Sequence, residues 1–292
     1  MIRRIRIQTD IRVLKGFFIV EEKYSVLMPL YFKDNPEWFV LAFDSIVNQS
    51  LTPDEIVIVC DGPISEQLQN LLDSYKIRYP SILKVYYFEQ NRGLGLTLAD
   101  GINFCKNEYI ARMDADDYSV PNRCEIQVNI LNENPDLDLV GSNVDEFIDS
   151  IGNPVAKVRL PEKQEDIYNF AKRRCPIRHP TLMYKKSKVL QAGNYRDYRH
   201  AQDYNLIVHM LLNGCKMYNY QDVLVYMRVS QDFYKRRGGW KQCKLILRLK
   251  KEFYNYGFYS FSDFVISGIG NALVCLMPNK LRGLFYKKVL RK

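Results

Sequence analysis

The sequence lacks any apolar run of the ~18 residues that a membrane-spanning helix needs. The nearest candidate, Phe264 to Met277, is too short and is interrupted by Asn271. The basic start (Met1-Ile-Arg-Arg-Ile-Arg-Ile) is followed by neither a long apolar core nor a small-residue cleavage site, so no signal peptide is expected. No CxxC pair occurs among the seven cysteines, whose wide spacing fits neither a zinc knuckle nor a disulfide framework. Buried, reduced thiols in a cytosolic setting are the expectation. Only three histidines are present, and no G-x-S-x-G accompanies them, which leaves a poor basis for a hydrolytic triad. Asn91-Arg92-Gly93-Leu94-Gly95 lacks both the Gly-Lys-Ser/Thr ending of a P-loop and the GxGxxG pattern, and reads as a helix-opening turn. There is no internal repeat, low-complexity stretch or long linker, and after Asp263 there is no acidic residue.

What is present suits a globular chain. At 292 residues, with 47% hydrophobic and 26% charged, one large domain or one domain with an appendage is expected, and disorder is not. The net charge of +9 is concentrated at the ends. Arg3, Arg4, Arg6, Arg12 and Lys15 crowd the start; Lys235 to Lys251 form a second basic segment; Lys280, Arg282, Lys287, Lys288, Arg291 and Lys292 close the chain. Such a distribution calls for a polyanion, either nucleic acid or an anionic lipid surface.

Residues 24–30 (YSVLMPL) predict a buried strand ending at Pro29-Leu30, followed by a helix from Glu37 to Asn48 with Trp38, Leu41, Ala42, Ser45 and Ile46 on its inner face. Glu55 to Cys60 is a continuous β-branched strand ending in an Asp61-Gly62-Pro63 turn, and Ser65 caps the next helix. Strands follow over Leu83 to Phe88, Tyr109 to Met113 and Leu137 to Ile148, with helices opening near Asn91 and at Pro121. Short elements alternate with turns from Pro154 to Asn194; a helix runs from Gln202 to Asn213, and a long helical stretch starts near Asp232. Apolar strands separated by helices predict an α/β fold, a mixed, mainly parallel sheet with helices on both faces. The organisation expected is a basic extension over 1–23, a catalytic domain over 24–230 and a basic helical region over 231–292.

In an open parallel sheet, ligands collect beyond the carboxyl ends of the strands. Pro29 and Tyr31, Asp61, and Asp114 with Asp116 fall at those ends. The Asp114-Ala115-Asp116 spacing can turn both carboxylates to one side, and hard oxygen ligands suit Mg²⁺ or Mn²⁺. An isolated pair of this kind reads as a helix-capping turn. Asp117 follows directly, however, and three clustered acids in a basic protein favour a metal at Asp114 and Asp116. Asp203 opens a helix, where the dipole favours its ionised form. It is either a proton-accepting base or a capping acid.

YSVLMPLYFKDNPEWFVLAFDSIVNQSLTPDEIVIVCDGP, NRGLGLTLADGI, YIARMDADDYSVPNR, RHPTLMYKKSKVLQAGNYRD and AQDYNL, in that order, resemble family 2 glycosyltransferases, inverting enzymes of GT-A fold. Within that family the resemblance is to bacterial transferases that build exopolysaccharide and lipopolysaccharide O-antigen, over residues 24–240 and more loosely the tail. It implies that Pro29 and Tyr31 contact the nucleoside and Asp61 the base. Asp114 then lies against ribose or diphosphate, Asp116 binds the metal and Asp203 is the catalytic base. Two departures stand out: Cys60 where many relatives carry a first Asp, and Gln202 where Glu is usual. Arg236-Arg237-Gly238-Gly239-Trp240 resembles a basic motif that meets the diphosphate, and equally suits a solvated helix start.

The function implied is inverting transfer from a nucleotide-diphosphate sugar, with UDP as the expected nucleotide, to a glycan acceptor, expected to be lipid-linked. A nucleotidyltransferase would carry a glycine-rich loop after the first strand, where this chain has Pro29-Leu-Tyr-Phe-Lys-Asp. A non-enzymatic polyanion binder would carry a nucleic-acid motif, and none is found, so no nucleic-acid partner is expected. From Phe264 onward, Ile266, Ile269, Leu273 and Leu276 recur at helical spacing among cations, a pattern suited to the headgroup region of an anionic membrane. Peripheral association with the cytoplasmic face of the inner membrane is the expected location.

Overall fold

The computed structural model describes residues 23–198, 200–230 and 238–285. In chain order the first half comprises β1 (Tyr24–Leu30), α1 (Pro36–Val47), β2 (Glu55–Cys60), α2 (Glu66–Arg78), β3 (Leu83–Tyr87), α3 (Leu94–Phe104), β4 (Tyr109–Arg112), β5 (Tyr118–Ser119) and α4 (Arg123–Glu133). There follow β6 (Leu139–Phe147), β7 (Ala156–Val158), α5 (Gln164–Ala171), a 3₁₀ turn at His179–Thr181, β8 (Met183–Lys185), α6 (Lys186–Gln191), α7 (Gln202–Leu212) and β9 (Met217–Arg228). Three helices close the described chain: α8 (Trp240–Asn255), α9 (Phe261–Leu276) and α10 (Asn279–Phe285).

The strands form one sheet in the order β3-β2-β1-β4-β8-β6-β9-β5, with β7 paired to β6. β3, β2, β1 and β4 are mutually parallel, as right-handed crossovers through α1, α2 and α3 require. β8 runs antiparallel to both β4 and β6 and joins this parallel half to a mixed one. Alternate residues of the central strands feed two cores because helices cover both faces. Leu27, Val57, Val59 and Ile110 face α3 and α7, whereas Val26, Met28, Ile56 and Ile58 face α1 and α2. Leu249, Phe253, Phe258 and Tyr259 belong to the first of these cores, so α8 is packed into the body through its inner face.

Several expectations shift by local chemistry. On α1 the buried set is Phe39, Ala42, Phe43, Ser45 and Ile46, and Trp38 is turned outward, where the Arg228 guanidinium lies over its ring at 4.5 Å. Pro121 sits in a turn two residues ahead of α4. The strand expected over 137–148 is Leu139–Phe147, and its unforeseen partner is the twelve-residue β9. The helix expected near Asp232 falls partly outside the described residues, and α8 begins at Trp240. Ser65 does cap α2, accepting from the Leu68 amide at 3.3 Å. No described helix is long and apolar enough to cross a membrane.

Candidate active site

Adjacent strands β2, β1 and β4 end side by side, and their register sets the site. Leu30 pairs with Cys60, and the Met113 amide donates to the Leu27 carbonyl at 3.1 Å. Pro29 is buried within β1 opposite Val59, and Tyr31, just beyond it, is 38% exposed. The Asp61 carboxylate ties down the loop after β3. It accepts from the Arg92 amide at 2.7 Å, the Gly93 amide at 3.0 Å and the Asn91 side chain at 2.9 Å. Gly62 is obligatory beside it: φ is +86°, and a Cβ would stand 2.7 Å from the Asn91 nitrogen. Cys60 is a buried thiol pushed up to about 12 by burial.

Beyond β4, carboxylate oxygens of Asp114, Asp116 and Asp117 all lie within 4.8 Å of one another. Asp114 is ion-paired with the fully buried Arg112, whose Nε and Nη1 have no hydrogen-bond partner. Asp116 is pushed up to about 7 by burial, then by the charges of Asp114 and Asp34, against the pull of Arg112 and Arg228. Asp117 is raised well above the carboxylate range by burial and then by Asp116 and Asp114. Asp34, raised to about 6 by burial with Asp114 adding to the shift, is held by the Tyr31 amide at 2.7 Å. Arg228 braces the cluster. Its amide donates to Asp117 Oδ1 at 2.7 Å, its Nε to the Asp116 carbonyl at 3.0 Å, and its guanidinium lies 4.4 Å over the Phe147 ring.

These residues fit a hard divalent cation. Their donors are all oxygens, their mutual repulsion is what a cation relieves, and Asp117 Oδ2 is buried without a partner. The structure thus adds Asp117 to the two candidate ligands expected from sequence, with Asp34 near enough to raise Asp116.

Asp203 lies in the first turn of α7, after Ala201 in a left-handed conformation (φ +69°). The Cys175 thiol beside it is driven well above its ordinary value by burial and then by the Asp203 charge. Tyr195 links the two ends of the site. Its buried hydroxyl is raised first by burial, with Arg112 opposing and both Asp203 and Asp114 adding to the shift. It is hydrogen-bonded to His179 Nε2 at 2.8 Å, and His179 is held neutral by burial and by Arg112. Asp114, Arg112, Tyr195 and Asp203 therefore share one electrostatic neighbourhood although 89 residues separate the two aspartates. Arg236 and Arg237 lie outside the described residues.

Sequence reasoning missed Asp34, Arg112, Tyr195 and Arg228. Asp34 reads as a turn acid before the Asn35 cap of α1, and Arg112 as a strand residue; only the folded chain brings the Asp34 loop and the end of β4 to one site. An arginine inside an otherwise apolar strand directly before three acids was the one available signal.

The chain matches the sequence pattern described as Glycosyl transferase family 2 over residues 25–192. It is 36% identical to an Escherichia coli UDP-Gal:alpha-D-GlcNAc-diphosphoundecaprenol beta-1,3-galactosyltransferase, across 92% of this chain and 97% of that one. It is 34% identical to the amylovoran biosynthesis glycosyltransferase AmsE of Erwinia amylovora, across 91% and 98% of the two chains. Among solved structures, TarS residues 1–349 of S. aureus in complex with UDP-GlcNAc superposes with a TM-score of 0.67. The superposition covers 91% of this chain and 76% of that one at 17% identity, a likeness of fold.

Proposed function

The chain belongs to glycosyl transferase family 2, and on that premise we propose that it transfers a sugar from a UDP-sugar to a lipid-linked glycan acceptor in bacterial surface polysaccharide synthesis, inverting the anomeric centre. The observation that carries the reading is the cluster of Asp114, Asp116 and Asp117 at the end of β4, with the buried Tyr195 hydroxyl in the field of both Asp114 and Asp203. One end of this neighbourhood is suited to a donor diphosphate and the other to a proton acceptor.

The donor lies across the ends of β1, β2 and β4, with Pro29 and Tyr31 along the nucleoside and Asp61 toward the base. Because Asp61 also anchors the Asn91–Gly93 loop, it sets the shape of the base pocket as well as its polarity. Asp114, Asp116 and Asp117 would hold Mg²⁺ or Mn²⁺, which when bound supplies Lewis-acid stabilisation of the departing diphosphate. Arg112 pairs with Asp114 and holds its carboxylate in place. Asp203 takes the proton of the acceptor hydroxyl as it attacks the anomeric carbon on the side opposite the leaving group. The His179–Tyr195 pair is hydrogen-bonded and stays neutral, with Tyr195 in the field of both acids. Arg236 and Arg237 are proposed to reach the diphosphate. The proposed division is a catalytic unit over 24–230, flanked by a basic extension over 1–23 and a helical region over 231–292 whose first described helix packs on the catalytic core. The enzyme is proposed to work at the anionic cytoplasmic face of the inner membrane, where a lipid-linked acceptor resides. No observation favours the nucleotidyltransferase or the polyanion-binding reading.

A panel of nucleotide sugars with Mg²⁺ or Mn²⁺, scored for slow donor hydrolysis without acceptor, tests this reading. Metal-dependent hydrolysis of a UDP-sugar is expected. No turnover of any nucleotide sugar, or unchanged turnover in excess EDTA, would overturn it.

A further inference from the structure

The outer faces of α8 and α9 carry different chemistry. On α8, Lys241, Lys244, Arg248 and Lys251 recur at helical spacing and are exposed, opposite the buried Leu249 and Phe253. On α9, Ile266, Ile269, Leu273 and Leu276 are 73%, 57%, 60% and 54% exposed. The inner positions Gly268 and Cys275 are buried, with Gly268 toward Leu247 of α8. The two helices pack together, so a cationic stripe accompanies an apolar one. Of the tail cations, Arg282 is buried, donating to the Cys275 carbonyl at 3.2 Å and the Met277 carbonyl at 2.9 Å, and those from Lys287 on lie outside the described residues.

Beside the apolar stripe, between α5 and α9, runs a cleft of about 720 Å³. Asn169, Lys172, Arg173, Asp263, Ile266 and Ser267 are among its lining residues. Ile266 belongs both to the cleft and to the stripe, so an apolar chain lying on α9 reaches the cleft without crossing polar surface. Lys172 is paired with Asp263 at 3.2 Å, and Arg173 is exposed, leaving the cleft with an excess of positive charge. The chain that lines it continues toward Asp203. Cys175, beside Asp203, follows Arg173 by two residues, a reach of at most about 7 Å along the chain. Tyr204, next to Asp203, donates to the Ala171 carbonyl and meets the Tyr259 hydroxyl at 2.8 Å, which fixes α5 against α7.

We propose that this cleft is the acceptor site for an isoprenoid diphosphate lipid. The diphosphate meets Arg173 and Lys172, the hydrocarbon chain lies along Ile266, Ile269 and Leu273, and the attached sugar points toward Asp203. The proposal rests on the transferase reading for the identity of the acceptor. The basic face of α8 seats the same hairpin on anionic lipid, and the cleft adds selectivity for one headgroup.

The test is vesicle flotation of the full chain at low salt, in three arms. These are neutral phosphatidylcholine, phosphatidylcholine with phosphatidylglycerol, and phosphatidylcholine with undecaprenyl diphosphate at equal surface charge. The wild type is expected to bind the isoprenoid vesicles at least about fivefold more tightly than the phosphatidylglycerol ones. Arg173→Glu should abolish that preference and keep phosphatidylglycerol binding, with Lys172→Gln acting in the same direction. Ile269→Glu with Leu273→Glu should weaken binding to both charged vesicles. Donor hydrolysis by these variants should stay at the wild-type rate, which also reports that they fold. Equal wild-type binding to both charged vesicles, a preference that survives Arg173→Glu, or a stripe that instead closes a dimer without binding vesicles would each overturn the assignment. A wild type that prefers the isoprenoid vesicles yet hydrolyses no nucleotide sugar would count against the transferase reading and leave the lipid site standing.

Discussion

Asp116 sits where burial and two neighbouring carboxylates oppose its ionisation, while Arg112 and Arg228 favour it. A divalent cation would tip that balance, so Asp116→Ala should abolish transfer and weaken UDP binding by at least about tenfold in the presence of metal. Equal UDP affinity of variant and wild type by calorimetry would count against a metal at this position. Arg228 touches no reacting group; it holds the Asp116 carbonyl and stacks between Trp38 and Phe147. Arg228→Ala should lower thermal stability by about 1–3 kcal/mol and soften the acidic cluster, seen as a higher metal requirement for donor hydrolysis. A variant as stable as the wild type with the same metal requirement would remove Arg228 from this role. At this scale the sequence was legible where residues lie close along the chain. The Asp114–Asp117 run announces itself, and Asp203 could be proposed from its helix position. Arg228 and Tyr195 could not, because Arg228 holds Asp116 from 112 positions away and Tyr195 bonds His179 from 16 positions away, and only strand pairing and packing reveal them.

At the level of elements, the parallel strands and their helices were readable because buried strands are apolar throughout and α3, α7 and α9 carry clear helical periodicity. In the mixed half β6 was readable and β9 was not. β9 carries an irregular register against β6 around Ser142–Val144, and it alternates buried with half-exposed residues too loosely to stand out. The seam between α8 and α9 holds a feature that no periodicity predicts. Lys250 is buried, donates to Ser267 and meets the Tyr259 hydroxyl at 3.4 Å, and burial pulls its pKa down to about 8. Below about pH 8 the folded chain carries this charge in a buried site; between about 8 and the ordinary lysine value of ~10.4 the unfolded chain holds a proton that the folded one has released. This group's contribution to stability therefore rises with pH across that window. Relative to wild type, Lys250→Met should gain stability of about 2 kcal/mol near pH 7, shrinking toward pH 10. A stability difference that does not change between pH 7 and 10 in denaturant titrations would show that Lys250 is not titrating as described.

Over the whole molecule, one chain combines a strand-end acidic site, a core shared with α8, and a hairpin face of cations and large apolar side chains. Among the described residues, Arg112, Arg123 and Arg282 are buried, and an exposed cationic stripe runs along α8. Ending the chain after Tyr259 removes α9 but keeps the aromatic core of Phe253, Phe258 and Tyr259. The shortened protein should still hydrolyse donor, at reduced stability because α8 loses the packing of α9, and should sediment with anionic vesicles much more weakly, through the α8 cations alone. Undiminished sedimentation would move membrane binding elsewhere in the chain.

The central claim is a division of labour, with Asp114, Asp116 and Asp117 on the donor and Asp203 on the acceptor. It is tested most directly by measuring UDP affinity and turnover in parallel for the wild type, Asp116→Ala and Asp203→Asn, each with Mn²⁺, with Mg²⁺ and with EDTA. The account predicts that Asp203→Asn keeps metal-dependent UDP affinity within about twofold while turnover falls by about 10² or more, and that Asp116→Ala loses both. Loss of UDP affinity by Asp203→Asn in proportion to its rate, or full wild-type turnover in EDTA, would contradict it.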